Sequence, residues 1–566
     1  MRLSYIATVL LSFGLGFPLL TRYPFRPDEA IYSVWALHFW QDPFFLTVWP
    51  DKPPLYLSVL ALAYKAFGVS EASARWLNIS FTTLTVALVI TSARHIWGAR
   101  AALLAGLTLA LNPFALSFAA TAYTDPLLVL MGSAALYAAL RRRSYWSGFW
   151  LGLAMMTKQQ GLFYVPLVLG ALLLSVQRAR YGWPRWRKSL HELAYFGGGV
   201  ATMVAPIVYW DSLRWATAPS PWDLSIRNYG GVALTPLSLW LERTQGWAAL
   251  AWYLLASQYV WFFVALSLLY SVARRVSLPA ILRRQTQVAS LQTWGRSGKP
   301  LYNLETSRAE RNAIPSARIE SAPERRVAQA DSQTRSQYCA VLFSVWGLGF
   351  MAIHVITNIQ VWDRYLLPLA PIGALLWGGC LAGISAQIPA KWARTVMAAW
   401  LLLLLPPAFS VRQGHLPVGA DHGDYAGLPQ AVQWLEQNAL GDSPAAKIVL
   451  YHNVLGWHFQ FYLHQQIEQA QVELRWFPNA LYLAQNSTTA PHMRKFLVTP
   501  SWAPARDLAR FAAMLQVQVV PRASIEQIRI VELRPLSAGS CDWCYCDGWP
   551  DNFPNAVFRP MKKRHQ

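Results

Sequence analysis

The chain is 566 residues long, 54% hydrophobic and 14% charged, and its 49 Lys and Arg against 28 Asp and Glu give a formal net charge of +21. Uncharged stretches recur at about the 20 residues that cross a hydrocarbon core ~30 Å thick, the pattern of a polytopic α-helical membrane protein. Much of the positive charge lies in loops between those stretches rather than on a soluble basic face with interleaved aromatics. This argues against a nucleic-acid partner and makes anionic membrane lipids the natural counter-charge.

Spans are predicted near residues 3–21, 76–93, 101–123, 126–140, 144–156, 160–177, 193–210, 247–272, 338–356, 365–388 and 395–410, about eleven in all. No small-residue cleavage site follows the first, which therefore reads as a span rather than a signal peptide. With the N-terminus cytoplasmic, the inside loops hold Arg94 and Arg100; Arg141, Arg142 and Arg143; Arg178, Arg180, Arg185, Arg187 and Lys188; and Lys391 and Arg394. The long basic stretch 274–335 is also inside. Every inside loop is thus positive, which predicts an N-in, C-out topology.

The same topology gathers carboxylates and cations on the outer side, several at a span edge, such as Asp125, Lys158, Asp211 and Arg364. Charges at that depth are costly to desolvate, so they face a cavity or one another. The outer loop 22–75 opens with Phe25-Arg26-Pro27-Asp28-Glu29, where Pro27 starts a helix with both carboxylates in its first turn, favourable against the helix dipole. Then comes Asp51-Lys52-Pro53-Pro54-Leu55-Tyr56, leading into an apolar segment, Pro54–Phe67. At about fourteen residues with Lys65 inside it, this segment is too short to span and reads as a second interfacial helix. Arg75 precedes the next span, and Tyr123-Thr124-Asp125-Pro126, Met156-Thr157-Lys158 and Asp363-Arg364-Tyr365-Leu366-Leu367-Pro368 follow at later outer edges.

Two regions depart from the membrane pattern. The basic cytoplasmic loop 274–336 is rich in Arg, Ser, Gln, Ala and Glu from Gln285 to Ser336 and reads as disordered. From 411 to 566 the hydrophobicity drops, with strands expected at 447–451, 496–499, 517–520 and 528–532 and helices at 428–438 and 505–515, an extracytoplasmic α/β domain. Cys541, Cys544 and Cys546 cluster in its tail; on an oxidising face one local disulfide is the simple reading, since their spacing lacks a fourth zinc ligand.

The six charged motifs, in this order and on one face, resemble the GT-C membrane glycosyltransferases, and most nearly family 39, which includes protein O-mannosyltransferases and the aminoarabinose transferase that modifies lipid A. The resemblance covers roughly residues 1–410. It implies a GT-C-like transmembrane catalytic domain that transfers a sugar from a polyisoprenyl-phosphate donor to a lipid, protein or glycan acceptor at the outer face of the plasma (inner) membrane. It also implies a C-terminal domain that caps the cavity. The residue types suit that chemistry: fixed cations neutralise a phosphate leaving group, and a carboxylate takes the acceptor proton. Asp28 is the expected catalytic carboxylate, with Glu29 supporting it. Asp51, Lys52, Arg75, Asp125, Lys158 and Arg364 are the expected substrate-binding set. The motifs require no cofactor and leave room for a divalent metal.

Two other classes fit less of the sequence. A transporter or lipid flippase would place charges near mid-membrane and show paired halves; a non-catalytic scaffold with an outer binding domain would leave the outer charges without a role. No phosphate-binding glycine loop stands out, which argues against an ATP-driven pump and a nucleotide-sugar donor. The topology is tested by cysteine substitution: sites in 274–335 should be shielded from an impermeant thiol reagent added to intact cells, and sites after Val411 labelled. The reverse pattern contradicts the orientation.

Overall fold

The computed structural model describes residues 2–21, 23–176, 185–255, 322–415, 418–419, 423–441, 446–489, 492–503 and 507–535. Most of 274–336, the end of the predicted span 247–272, Arg22, Arg178, Arg180 and the three tail cysteines lie outside these residues. The membrane part comprises helices α1 (Arg2–Gly16), α2 (Pro27–His38), α3 (Pro54–Phe67), α4 (Glu71–Trp97), α5 (Ala99–Ala110), α6 (Pro113–Ala119), α7 (Asp125–Leu140), α8 (Ser144–Thr157), α9 (Val165–Val176), α10 (Arg185–Ser212), α11 (Pro221–Tyr229), α12 (Trp240–Ala251), α13 (Ala322–Ile356), α14 (Leu369–Ser385) and α15 (Ala390–Gln413).

Among the described residues α1, α4, α10, α13 and α15 are long and apolar enough to cross a membrane, and a sixth span results if α5 and α6 are taken together. Helices α3, α7 and α14 and the segment 159–175 are apolar but shorter. The chain is thus an integral membrane protein. Several predicted spans are reshaped by local chemistry. The span 101–123 breaks between α5 and α6 with a 54° bend, because Asn112 caps α6 through its Oδ1 on Ala115 N at 3.1 Å and Pro113 cannot continue α5. The span near 365–388 starts only at Leu369, since Asp363–Leu366 form a tight turn first. Residues 322–336, expected to be disordered, belong to α13: their Ala, Glu, Arg and Gln are good helix formers and run directly into an apolar span.

Close helix contact follows from small residues. A Cβ on Gly148 would lie 1.9 Å from Phe196 O and one on Gly199 2.0 Å from Tyr145 O, so α8 and α10 meet backbone to backbone only because both positions are glycine. Helix α3 spans the predicted residues and buries Tyr56, Leu57, Leu60, Ala61 and Tyr64, leaving Leu62 and Phe67 exposed.

The C-terminal part folds as an α/β domain with its own core. Its helices are α16 (Leu428–Leu435), α17 (Gly456–Tyr462), α18 (His464–Glu468), α19 (Ala480–Ser487) and α20 (Leu508–Met514). Its strands are β1 (Ile448–His452), β2 (Val472–Trp476), β3 (Arg494–Pro500), β4 (Val517–Ile525) and β5 (Ile528–Pro535). The sheet order is β2-β1-β3-β5-β4, with β1 parallel to β2 and β3, and β5 antiparallel to β3 and β4. Leu450, Phe496, Val498 and Ile530 face one core with α16 and α17; Val449, Leu497, Val531 and Leu533 face the other with α19 and α20. Strand β2 lies at the sheet edge, and its alternating Glu473 and Arg475 gave no apolar run to find it by.

Within this domain Glu532 is buried and accepts from Arg522 Nε at 2.7 Å, Arg494 Nε at 3.1 Å and Arg534 Nη2 at 2.9 Å. Burial alone would raise its carboxyl, but the three arginine hydrogen bonds hold it below its ordinary value. A depressed folded pKa stabilises the domain above the unfolded value and loses that stability as pH falls through the acid range. Glu532→Gln should cost roughly 1–3 kcal/mol at neutral pH, as for lost hydrogen bonds to a charged group, and should flatten the acid limb of a thermal-unfolding series. An unchanged acid limb contradicts this.

Candidate active site

Helix α2 starts at Pro27 after an extended Arg26, and its first turn sets two neighbouring carboxylates in opposite surroundings. Glu29 points inward and is 2% exposed. It accepts from Arg26 N at 2.9 Å, Ala122 N at 2.8 Å and Arg75 Nε at 3.2 Å. Arg75 in turn directs its five N–H donors to Glu29 and to the carbonyls of Leu20, Tyr23 and Pro24. Glu29 and Arg75 therefore form a buried clamp on the polypeptide before α2. Their geometry sets them apart from the substrate-facing group expected from sequence.

Asp28 points the other way. Its side chain is 36% exposed and pairs with Arg364 Nη1. Arg364, in the turn after α13, lies over the rings of Trp362 at 4.5 Å, Tyr123 at 5.1 Å and Tyr365 at 5.8 Å. Asp363 beside it accepts from Gly419 N at 2.6 Å, anchoring the turn to the chain that follows the last span.

Two further pairs lie against these rings or one packed on them. Lys158, at the α8 terminus, donates to Asp125 at 2.6 Å and sits 4.5 Å over Tyr365. Lys52 donates to Asp51 at 2.8 Å and to Tyr229 Oη at 3.3 Å, while Asn228 Nδ2 donates to the other Asp51 oxygen at 3.3 Å. Tyr229 meets Trp362 edge to face at 5.5 Å, and Trp362 lies 5.4 Å from Tyr365. The chain Tyr229–Trp362–Tyr365 thus joins all three cation–carboxylate pairs into one site. Burial pushes the Lys52 ammonium below its ordinary value, Asp51 opposes this, and Arg364 adds to the lowering. Burial would raise Asp51, but Lys52 and the donors around it hold it below the usual range. Asp125 Oδ2 and the Gln160 amide are buried without a hydrogen-bond partner among the described residues.

Among the described residues no three His, Cys, Asp or Glu side chains come together in a way that could hold a metal ion. The structure therefore brings together Asp28, Asp51, Lys52, Asp125, Lys158 and Arg364. Sequence reasoning passed over Tyr123 and Tyr365, although both lie inside quoted motifs, because aromatics are plentiful throughout. Asn228, Tyr229 and Trp362 had no local signal; only the fold brings them to the cations. An apolar groove of about 810 Å³ runs between α8, α9 and α10, lined by Leu151, Met155, Val165, Val200, Val204 and Val208. Met155 and Val165 lie on either side of Lys158 in sequence.

Residues 51–210 match the family model described as dolichyl-phosphate-mannose-protein mannosyltransferase. In overall fold the chain is similar to ArnT from Cupriavidus metallidurans. The apo structure gives a TM-score of 0.54 at 16% identity, and the structure bound to undecaprenyl phosphate 0.53 at 17%; each match covers 93% of this chain and 97% of that one. A shorter likeness, 37% identical over 79 residues, is to the sn-glycerol-3-phosphate transport system permease protein UgpE of Escherichia coli O157:H7 and of Shigella flexneri serotype 5b. It covers 13% of this chain, which spans 28% of those curated relatives' length. The chain resembles the GT-C membrane glycosyltransferases. Among them it shares the ArnT fold across both the membrane part and the C-terminal domain.

The clamp makes its own prediction. Arg75→Ala leaves Glu29 charged, buried and unpaired, which costs about 3–5 kcal/mol for a broken buried pair. The variant should lose a large part of its thermal stability in detergent. Stability equal to wild type would show that the clamp does not hold the loop.

Proposed function

We propose that this protein transfers a sugar from a polyisoprenyl-phosphate carrier to an acceptor hydroxyl or amine at the outer face of the plasma membrane. The observation that carries the reading is Asp28: it is the partly exposed carboxylate of a site in which Lys52, Lys158 and Arg364 converge through shared aromatic rings. Each cation is matched by one carboxylate, so the site is close to neutral before a donor arrives. A donor phosphate competes with the carboxylates for the three cations, and the fixed positive groups then stabilise the charge that grows on the leaving phosphate.

The transfer step follows from these positions. The acceptor heteroatom attacks the anomeric carbon and forms the new bond, while the carbon–oxygen bond to phosphate breaks and its electron pair stays on the phosphate. Asp28, released from Arg364 as the cation turns to the phosphate, takes the acceptor proton, and its negative charge favours oxocarbenium character at the sugar carbon. The α8–α10 groove holds the start of the isoprenoid chain, in line with the undecaprenyl phosphate held by the ArnT structure of the same fold. The outer location rests on the positive inside loops.

A transport reading has one observation in its favour, the short likeness to a permease. It leaves the one-sided set of three ion pairs unexplained.

Asp28→Asn keeps size and polarity but cannot accept the proton. Turnover should fall by ~10²–10⁴, the range of a positioned acid–base group, with donor binding nearly intact. A fully active Asp28→Asn enzyme contradicts the mechanism. Lys52→Ala and Arg364→Ala should each weaken binding of undecaprenyl phosphate measured by thermal shift or calorimetry. Unchanged affinity in both moves the phosphate site elsewhere.

A further inference from the structure

Residues 23–26, just before α2, form neither helix nor strand, yet side chains from distant elements hold the backbone on this side of the first span. Arg75 takes the carbonyls of Leu20, Tyr23 and Pro24 at 3.0, 2.6 and 3.1 Å. The next peptide is held from the C-terminal domain: Phe25 N–H donates to Tyr462 Oη at 3.1 Å and Phe25 O lies 2.9 Å from His458 Nε2. A carbonyl only accepts, so His458 carries its proton on Nε2. Nδ1 makes no hydrogen bond among the described residues, as suits a neutral ring. Both residues lie on α17, 433 and 437 positions along the chain from Phe25.

The contact is more than two hydrogen bonds. Tyr462 also donates to Glu71, which pairs with Arg75 at 3.5 Å, and Arg75 holds Glu29 next to Asp28. Phe25 is fully buried, with its ring 4.7 Å from Phe461 and the Arg75 guanidinium 5.2 Å above it. Trp457 meets Trp35 of α2 edge to face at 6.3 Å. Helix α17 is therefore locked onto the start of the helix that carries Asp28.

We propose that His458 and Tyr462 are positioning residues of the transfer site: through the Phe25 peptide they fix where α2 begins, and so where Asp28 stands against Arg364, Lys52 and Lys158. This rests on Asp28 being the acceptor-side carboxylate. Only Arg26 and Pro27 separate Phe25 from Asp28, and the proline ring fixes φ, so a displacement at Phe25 passes to the carboxylate with little slack. The C-terminal domain is thereby part of the catalytic apparatus without giving a group to the reacting atoms.

The test uses the full chain in lipid nanodiscs, with undecaprenyl phosphate as the binding probe. Tyr462→Phe keeps the ring packing and removes one oxygen; His458→Ala removes the donor; His458→Gln returns an N–H that can reach the same carbonyl. Tyr462→Phe and His458→Ala should lower kcat by ~10–100-fold, as misplacement of a reacting group by about 1 Å does, with probe affinity within twofold of wild type. His458→Gln should recover part of the loss. Amide exchange over residues 23–30 should quicken at least tenfold in both weakened variants while β1 and β3 stay protected. Unchanged kcat with faster exchange overturns the positioning role, and unchanged exchange overturns the clamp itself. Should His458→Ala unfold the domain, Tyr462→Phe decides alone. A wild-type protein that neither binds the probe nor transfers sugar counts against the proposed function; the exchange measurement still reports on the clamp.

Discussion

The ion pair between Asp28 and Arg364 joins residues 336 positions apart and brings the start of the first loop against a turn near the end of the membrane part. A charge removed from water is tolerated only against a counter-charge with its hydrogen bonds met, and that requirement organises this end of the bundle. Lys158 with Asp125 and Lys52 with Asp51 obey the same constraint, and the three pairs lie close enough to share the Tyr229–Trp362–Tyr365 row. A site built this way is close to neutral at rest, and under the proposed function a donor phosphate displaces the carboxylates from the three cations.

Adjacent residues serve opposite ends. Asp28 and Glu29 differ by one methylene and one position, yet the first faces an opening while the second is enclosed by Arg75 and two backbone amides. Helical geometry separates neighbours by about 100°, so one carboxylate reaches the site while the other locks the helix start. Rigidity behind a reacting group is what allows it to act at a fixed distance. Here that rigidity comes from Arg75 on one side and from α17 of the C-terminal domain on the other.

The membrane character and most helix positions were legible because burial in lipid demands long apolar runs, and α3 was found with both of its ends because prolines and a glycine bound it. The break at Asn112-Pro113 was passed over since the flanking apolar run continues across it. Residues 322–336 looked disordered from their charge, although their helix propensity and attachment to a span decide the outcome. At the site, the charged motifs were visible as rare residues in apolar surroundings. The separate place of Arg75 was not visible, because its ligands are backbone carbonyls, which carry no side-chain signature. Tyr229 reaches Lys52 and Asn228 reaches Asp51, each across 177 residues of chain, a distance that local pattern cannot bridge.

The proposed phosphate site is formed by Lys52, Lys158 and Arg364 and faces Asp28. The most direct measurement is a cryo-electron microscopy structure of the protein in nanodiscs containing undecaprenyl phosphate. The phosphate is predicted among these three cations, with Asp28 parted from Arg364 and the first isoprene units in the α8–α10 groove. Phosphate density at the opposite end of the bundle beside Arg141, Arg142 and Arg143, with the Asp28–Arg364 pair intact, would contradict it.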